Sequence, residues 1–178
     1  MSRYIALLRG VNVSGSAMRM ATLKESFAAL GFDEVQTYLQ SGNVVFTTKQ
    51  ADPVKLAKRI EDRIKQDFGM EIPVLVLTAG EIASIAQNNP LFPGSGATES
   101  HFHCTFLFSP VTGKAFSALK LPAVEGERAI LAKDAVLLHC PHGYGRTKLN
   151  NTYFEKSLGV KATTRNWKTV LALCDLST

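Results

Sequence analysis

Hydrophobic residues along the chain change their period several times, and each change marks an element. Tyr4-Ile-Ala-Leu-Leu8 is an almost wholly apolar run ahead of a Gly-containing loop, which predicts a central strand covered on both faces. Met20, Leu23, Phe27 and Leu30 recur at steps of three and four, so a helix beginning near Ala17 would carry them as one stripe, with Gly31 placed to close it in a left-handed cap. Val35, Thr37 and Leu39 alternate with Gln36, Tyr38 and Gln40 as a second strand does. Ser41-Gly42-Asn43 supplies turn residues, and Val44-Val45-Phe46-Thr47 is a third strand, so the two strands form a hairpin.

Asp52 and Pro53 are a cap and first-turn pair for a helix burying Leu56, Ile60 and Ile64 and ending at Gly69. Pro73-Val-Leu-Val-Leu77 is a fourth strand. From residue 3 to about 78 the order is therefore β-α-β-β-α-β, the ferredoxin-like arrangement. Thr78 and Glu81 form a capping-box pattern for a third helix through Ile82 and Ile85, ended by Asn89-Pro90 and followed by a Pro/Gly/Ser-dense loop, Leu91 to Ser100.

Beyond it, His101 to Phe108 reads as a strand and Thr112 to Leu119 as a short helix. Arg128 to Ala132 and Ala135 to Cys140 read as a hairpin around Lys133-Asp134. Leu149, Tyr153, Phe154 and Leu158 mark a helix ending at Gly159. Thr163 or Thr164 would cap a last helix with Trp167, Val170, Leu171 and Cys174 inward. The second half then reads β-α-β-β-α-α, an incomplete copy of the first. The expected class is α+β: a ferredoxin-like half at 1–78, a bridging helix and loop at 79–100, and a smaller related half at 101–178. The central strands of the first half are apolar on both faces, and its two helices cover one. The other face is expected to be covered by the second half, or alternatively by a dimer interface.

This topology makes a functional expectation. The first strand's exit, the turn after the second and the start of the first helix would share one edge. Arg9, Asn12, Ser14, Ser41, Gly42 and Asn43 would converge there on helix N–H groups, a setting for an anion. Gly10 to Gly15 has P-loop spacing, but Ser16-Ala17 stands where Lys and Ser or Thr belong, so a P-loop nucleotide hydrolase is rejected.

Charge adds a second candidate region. The chain of 178 residues is 46% hydrophobic and 20% charged, with a formal charge of +5. Between Pro141 and Lys168 lie Arg146, Lys148, Lys156, Lys161, Arg165 and Lys168 against Glu155 alone, a local balance that favours anions. Gly143 to Asn150, with Arg146, Lys148 and Asn150, follows a strand and precedes a helix. Thr163 to Trp167 places Thr164, Arg165 and Asn166 at a predicted helix start, where a cation opposes the helix dipole.

Other chemistries are weak. Cys104, Cys140 and Cys174 are scattered and show no CxxC spacing, which suits buried free thiols in a reducing compartment. His101 and His103 alternate on one strand and His139, Cys140 and His142 cluster, yet zinc needs three or four converging ligands, so no metal and no cofactor is expected. No Ser-His or Cys-His neighbourhood marks a nucleophile. No apolar run approaches signal-peptide or membrane-spanning form, so the expectation is a cytoplasmic protein without membrane contact, monomeric or homodimeric.

Arg9-Gly-Val-Asn12, Met20-x-x-Leu23, Thr37 to Phe46, Lys148-Leu149-Asn150 and Ala162 to Trp167 resemble the domain-of-unknown-function family 1697 over nearly the whole chain. The resemblance implies a compact α+β protein with ferredoxin-like parts and brings no activity with it. The first functional expectation is binding of a phosphorylated small molecule or nucleotide. The second is hydrolysis of phosphoryl or acyl-phosphate groups, because acylphosphatases resemble this topology and Arg9 and Asn43 would take the charge-stabilising and water-placing roles. The third is RNA binding, although Val44-Val45-Phe46 offers one ring where an RNA-recognition sheet needs several.

Overall fold

A computed structural model describes residues 1–13, 17–94 and 97–178. Contacts divide the chain into two compact units, one of Met1–Ser84 with Leu173–Thr178, the other of Ile85–Ala172. The segment 79–100 is therefore shared between them. Among the described residues no helix is long and apolar enough to cross a membrane.

The first unit runs β1 (Ser2–Leu8), α1 (Met20–Ala29), β2 (Asp33–Tyr38), β3 (Asn43–Thr48), α2 (Pro53–Phe68), β4 (Val74–Thr78) and α3 (Ala79–Gln87) as far as Ser84. Its sheet is antiparallel in the order β2-β3-β1-β4, the ferredoxin-like order expected. Strand alternation turns Tyr4, Ala6, Leu8, Val44 and Phe46 toward Leu23 and Phe27 of α1 and Leu56, Ile60 and Ile64 of α2. Phe46 stacks on Phe32 with centroids 4.6 Å apart and meets Phe27 edge-on at 5.4 Å. Ile5, Leu7 and Val45, on the other face, are buried too.

The local signals mostly behave as read. Asp52 accepts from the Val54 and Lys55 amides, with Pro53 in the first turn and Gly69 left-handed at the end of α2. Thr78 and Glu81 close a reciprocal capping box, Glu81 N to Thr78 Oγ1 at 3.1 Å and Thr78 N to Glu81 Oε2 at 2.9 Å. Two boundaries differ. The first helix begins at Met20, not near Ala17, because Met18 is held by Asn12. Asn43 is the first residue of β3 and not a turn residue: it pairs with Tyr38, so the turn is Leu39 to Gly42.

The second unit contains β5 (Phe102–Leu107), α4 (Gly113–Ser117), β6 (Arg128–Ala132), β7 (Ala135–His139), α5 (Asn151–Leu158), β8 (Ala162–Asn166) and α6 (Trp167–Leu176) as far as Ala172. The Lys133-Asp134 hairpin is as expected, with Lys133 left-handed at φ 55°. The correction lies at 162–166. Those residues are a strand and not a helix cap, and the order β6-β7-β5-β8 repeats β2-β3-β1-β4. The second half thus completes the copy that the sequence left one strand short. Threonine suits both a cap and a strand, and here the cross-strand partner decides: Thr164 lies opposite Thr105. The last helix starts at Trp167, and Asn166 Oδ1 accepts from Thr169 N at 2.8 Å. Its buried stripe is Trp167, Val170 and Leu173, while Leu171 and Cys174 are half-buried.

Candidate functional site

The first expected region, the rim of the first unit, is laid out as the topology requires. Leu8 N donates to Gly42 O at 2.9 Å and Arg9 N to Pro73 O at 3.0 Å, so the exit of β1, the β2–β3 turn and the start of β4 meet. Asn12, left-handed at φ 56°, donates from Nδ2 to Gln40 O and Met18 O and accepts at Oδ1 from Met18 N. Gly42 is left-handed, and a Cβ there would stand 2.7 Å from Leu8 Cβ. Asn43 is fully buried, its Nδ2 donating to Tyr38 O and Ser41 Oγ, each at 2.9 Å. Arg9 is half-buried and Ser41 exposed. Ser14 lies outside the described residues. The rim brings its loops together: the Asn12 amide ties the loop after β1 to the β2–β3 turn, and the Asn43 amide braces that turn from within.

The second region is richer. On the helix-facing side of β5, His103, Thr105 and Leu107 alternate inward. Thr164 Oγ1 donates to Asn151 Oδ1 at 2.7 Å, so the Thr105 hydroxyl, also 2.7 Å from Thr164 Oγ1, donates into it. His103 stacks on the Tyr144 ring, centroids 4.6 Å apart and planes 24° apart. Burial drives the His103 pKa down to about 4, opposed by hydrogen bonding toward the His101 backbone carbonyl and aided by the His101 charge. Its Nδ1 is buried without a hydrogen-bond partner among the described residues. Burial also raises the Tyr144 pKa, opposed by polar contact with the Thr164 side chain and the Asn151 backbone, so both rings are neutral near pH 7.

The connection that carries the Tyr144 ring, Gly143 to Asn150, is pinned by buried residues and exposes its cations. Thr147 and Leu149 are buried, and Thr147 Oγ1 accepts from Leu149 N at 3.0 Å. Asn150 Oδ1 caps α5 by accepting from Tyr153 N at 3.0 Å. Between these anchors Arg146 and Lys148 are exposed. A Cβ on Gly143 or Gly145 would meet nothing within 4 Å, so a ligand can approach the backbone there.

The third expected group divides. Thr164 belongs to the hydroxyl chain just described, and Asn166 caps α6. Arg165 is not in a helix first turn. It lies in β8 facing away from Thr164, only 7% exposed, with Nη1 on Thr163 Oγ1 at 2.8 Å and Thr164 O at 3.0 Å. Burial lowers its pKa to about 10. The sequence reading missed the inner layer of His103, Thr105, Tyr144 and Asn151. The one available signal was a pair of polar residues, His103 and Thr105, alternating within an otherwise apolar strand.

The electrostatics favour the connection. Lys58, Arg63 and Lys65 of α2 each meet a carboxylate at 2.6–2.7 Å. Among the described residues Arg146, Lys148, Lys156, Lys161 and Lys168 meet none. Burial raises all three cysteine thiols, Cys140 to about 11, which disfavours the thiolate. Among the described residues no group of three or more His, Cys, Asp or Glu converges to hold a metal.

Two linked copies of one βαββαβ layout, with a basic connection and a neutral aromatic and hydroxyl layer, define an α+β protein of duplicated ferredoxin-like topology. Residues 1–137 match the model of a family described as protein of unknown function (DUF1697), and the chain belongs to that family. Among solved structures it is similar to the conserved bacterial protein SP0830 from Streptococcus pneumoniae, at 21% identity and a TM-score of 0.77 over 99% of this chain and 98% of that one. That likeness concerns the fold. No curated protein matches the chain.

Proposed function

We propose that the chain binds a small anionic ligand, a phosphorylated metabolite or nucleotide, against the Gly143–Asn150 connection of the second unit. One observation carries this reading: Arg146 and Lys148 stand exposed, without ion pairs among the described residues, on backbone fixed by Thr147, Leu149 and Asn150. Fixed backbone lowers the ordering cost of binding, and Arg146 supplies a planar fork for phosphate oxygens. The local excess of positive charge draws an anion to it.

Two features favour a small ligand over the other readings. The Asn43 amide that acyl-phosphate hydrolysis would use is turned into the turn. Phe46, the ring an RNA-recognition sheet would expose on β3, is fully buried on the helix side. The test is a thermal-shift screen of the full chain with inorganic phosphate, pyrophosphate, ATP and a short RNA at two salt concentrations. A bound anion at a hundredfold excess over its Kd is expected to raise the melting temperature by about 5–10 °C. No shift with any anion at low salt contradicts the reading.

A further inference from the structure

We propose that β6 is a pairing edge for a second copy of this chain, joined antiparallel about Ile130. Among the described residues β6 pairs only with β7, from Arg128 opposite His139 to Ala132 opposite Ala135, and its outer row of backbone groups has no strand beside it. The other sheet edges are blunted. β2 carries Asp33, Glu34 and Gln36, a register shift between Asp33 and Gln36, and a left-handed Glu34. β4 follows Pro73, and its Val74 amide is covered by the Glu61 carboxylate at 2.9 Å. β8 holds Arg165 and Asn166. β6 carries a charge only at its first residue, Arg128, and beyond it Ala129-Ile130-Leu131-Ala132 is continuous, apolar and without a register shift. Ile130 is 36% exposed, and the preceding connection leaves Leu121 and Val124 exposed as well.

The sequence around β6 is complementary to itself in one direction. An antiparallel copy centred on Ile130 sets Ile130 against Ile130, Glu127 against the second copy's Lys133, and Arg128 diagonal to its Asp134. A parallel copy sets Glu127 against Glu127 and Arg128 against Arg128, which repel. The apolar centre supplies attraction and the flanking charges choose the direction.

Sedimentation velocity of the full chain from about 1 µM to about 1 mM reads the outcome, the range expected of a small interface. Wild type is expected to shift from monomer to dimer within it. Ile130→Lys is expected to weaken association at least about tenfold. Glu127→Lys is expected to do the same, and adding Lys133→Glu to restore association. Circular dichroism confirms that each variant is folded, and Ile130→Lys alters a side chain already partly in water. A wild-type chain that stays monomeric throughout, or a dimer that Ile130→Lys leaves unchanged, overturns the proposal.

Discussion

The Asn12 amide donates to the carbonyl of Gln40, a residue 28 positions further along the chain. With the bonds of Asn12 to both backbone groups of Met18, it holds the loop after β1 to the β2–β3 turn and sets where α1 begins. Asn12→Ala loses all three bonds and places alanine at a positive φ. The expected loss is about 1–3 kcal/mol in urea unfolding. Asn12→Gly, which keeps the φ and loses the bonds, should fall between.

Gly42 and Gly10 separate space from conformation. Both are left-handed, at φ 76° and 74°, but only Gly42 faces an obstacle, with Leu8 Cβ 2.7 Å from a built Cβ. Gly10→Ala is expected to cost about 1 kcal/mol of backbone strain. Gly42→Ala should cost about 2 kcal/mol or more, since Leu8 is backbone-anchored in β1 and cannot swing aside. Equal melting temperatures for the two variants would show that the β1–turn contact is looser than described.

Thr105, Thr164 and Asn151 form a chain in which the buried Thr105 hydroxyl depends on Thr164. Thr164→Val orphans it and should cost about 1–3 kcal/mol. Thr105→Val removes the dependent group itself. The double variant is therefore expected to lose less than the two single losses added together, a coupling that denaturant melts on all four proteins measure.

His103 links stability to pH. Folded, it takes a proton only near pH 4, and unfolded near the ordinary value of 6.5. Between those values the unfolded chain binds more protons, so stability falls as pH drops from about 6.5 to about 4, by up to about 3 kcal/mol from this residue, and this contribution falls no further below. Carboxylates titrate nearby, so the readout is the difference from His103→Phe, which keeps the stack on Tyr144. The wild-type curve should drop more steeply through the window than the variant's.

Periodicity made the first unit readable because each of its elements is covered in a regular way: two-sided apolar strands, one-sided helices, and caps such as Asp52 and Gly69 placed at the ends. It failed at Ala162–Asn166, where threonine's two local preferences conflict and Thr105, 59 positions before Thr164, decides between them. The rim was legible as a place but not as chemistry. That Asn12 and Asn43 bond to backbone instead of facing outward follows from carbonyl positions that no spacing rule reports. The hydroxyl and aromatic layer was hidden for the same reason, being assembled from β5, β8, the start of α5 and Tyr144 of the Gly143–Asn150 connection. The cations of that connection were visible, since their excess is a property of composition.

Titration calorimetry with pyrophosphate, on the full chain and on the Arg146→Ala/Lys148→Ala variant at low and at raised salt, bears most directly on the anion-binding account. The account expects binding to wild type that weakens with salt, and an affinity at least about tenfold lower in the variant with its melting temperature unchanged. Equal affinity in the two proteins, or no heat from either, would contradict it.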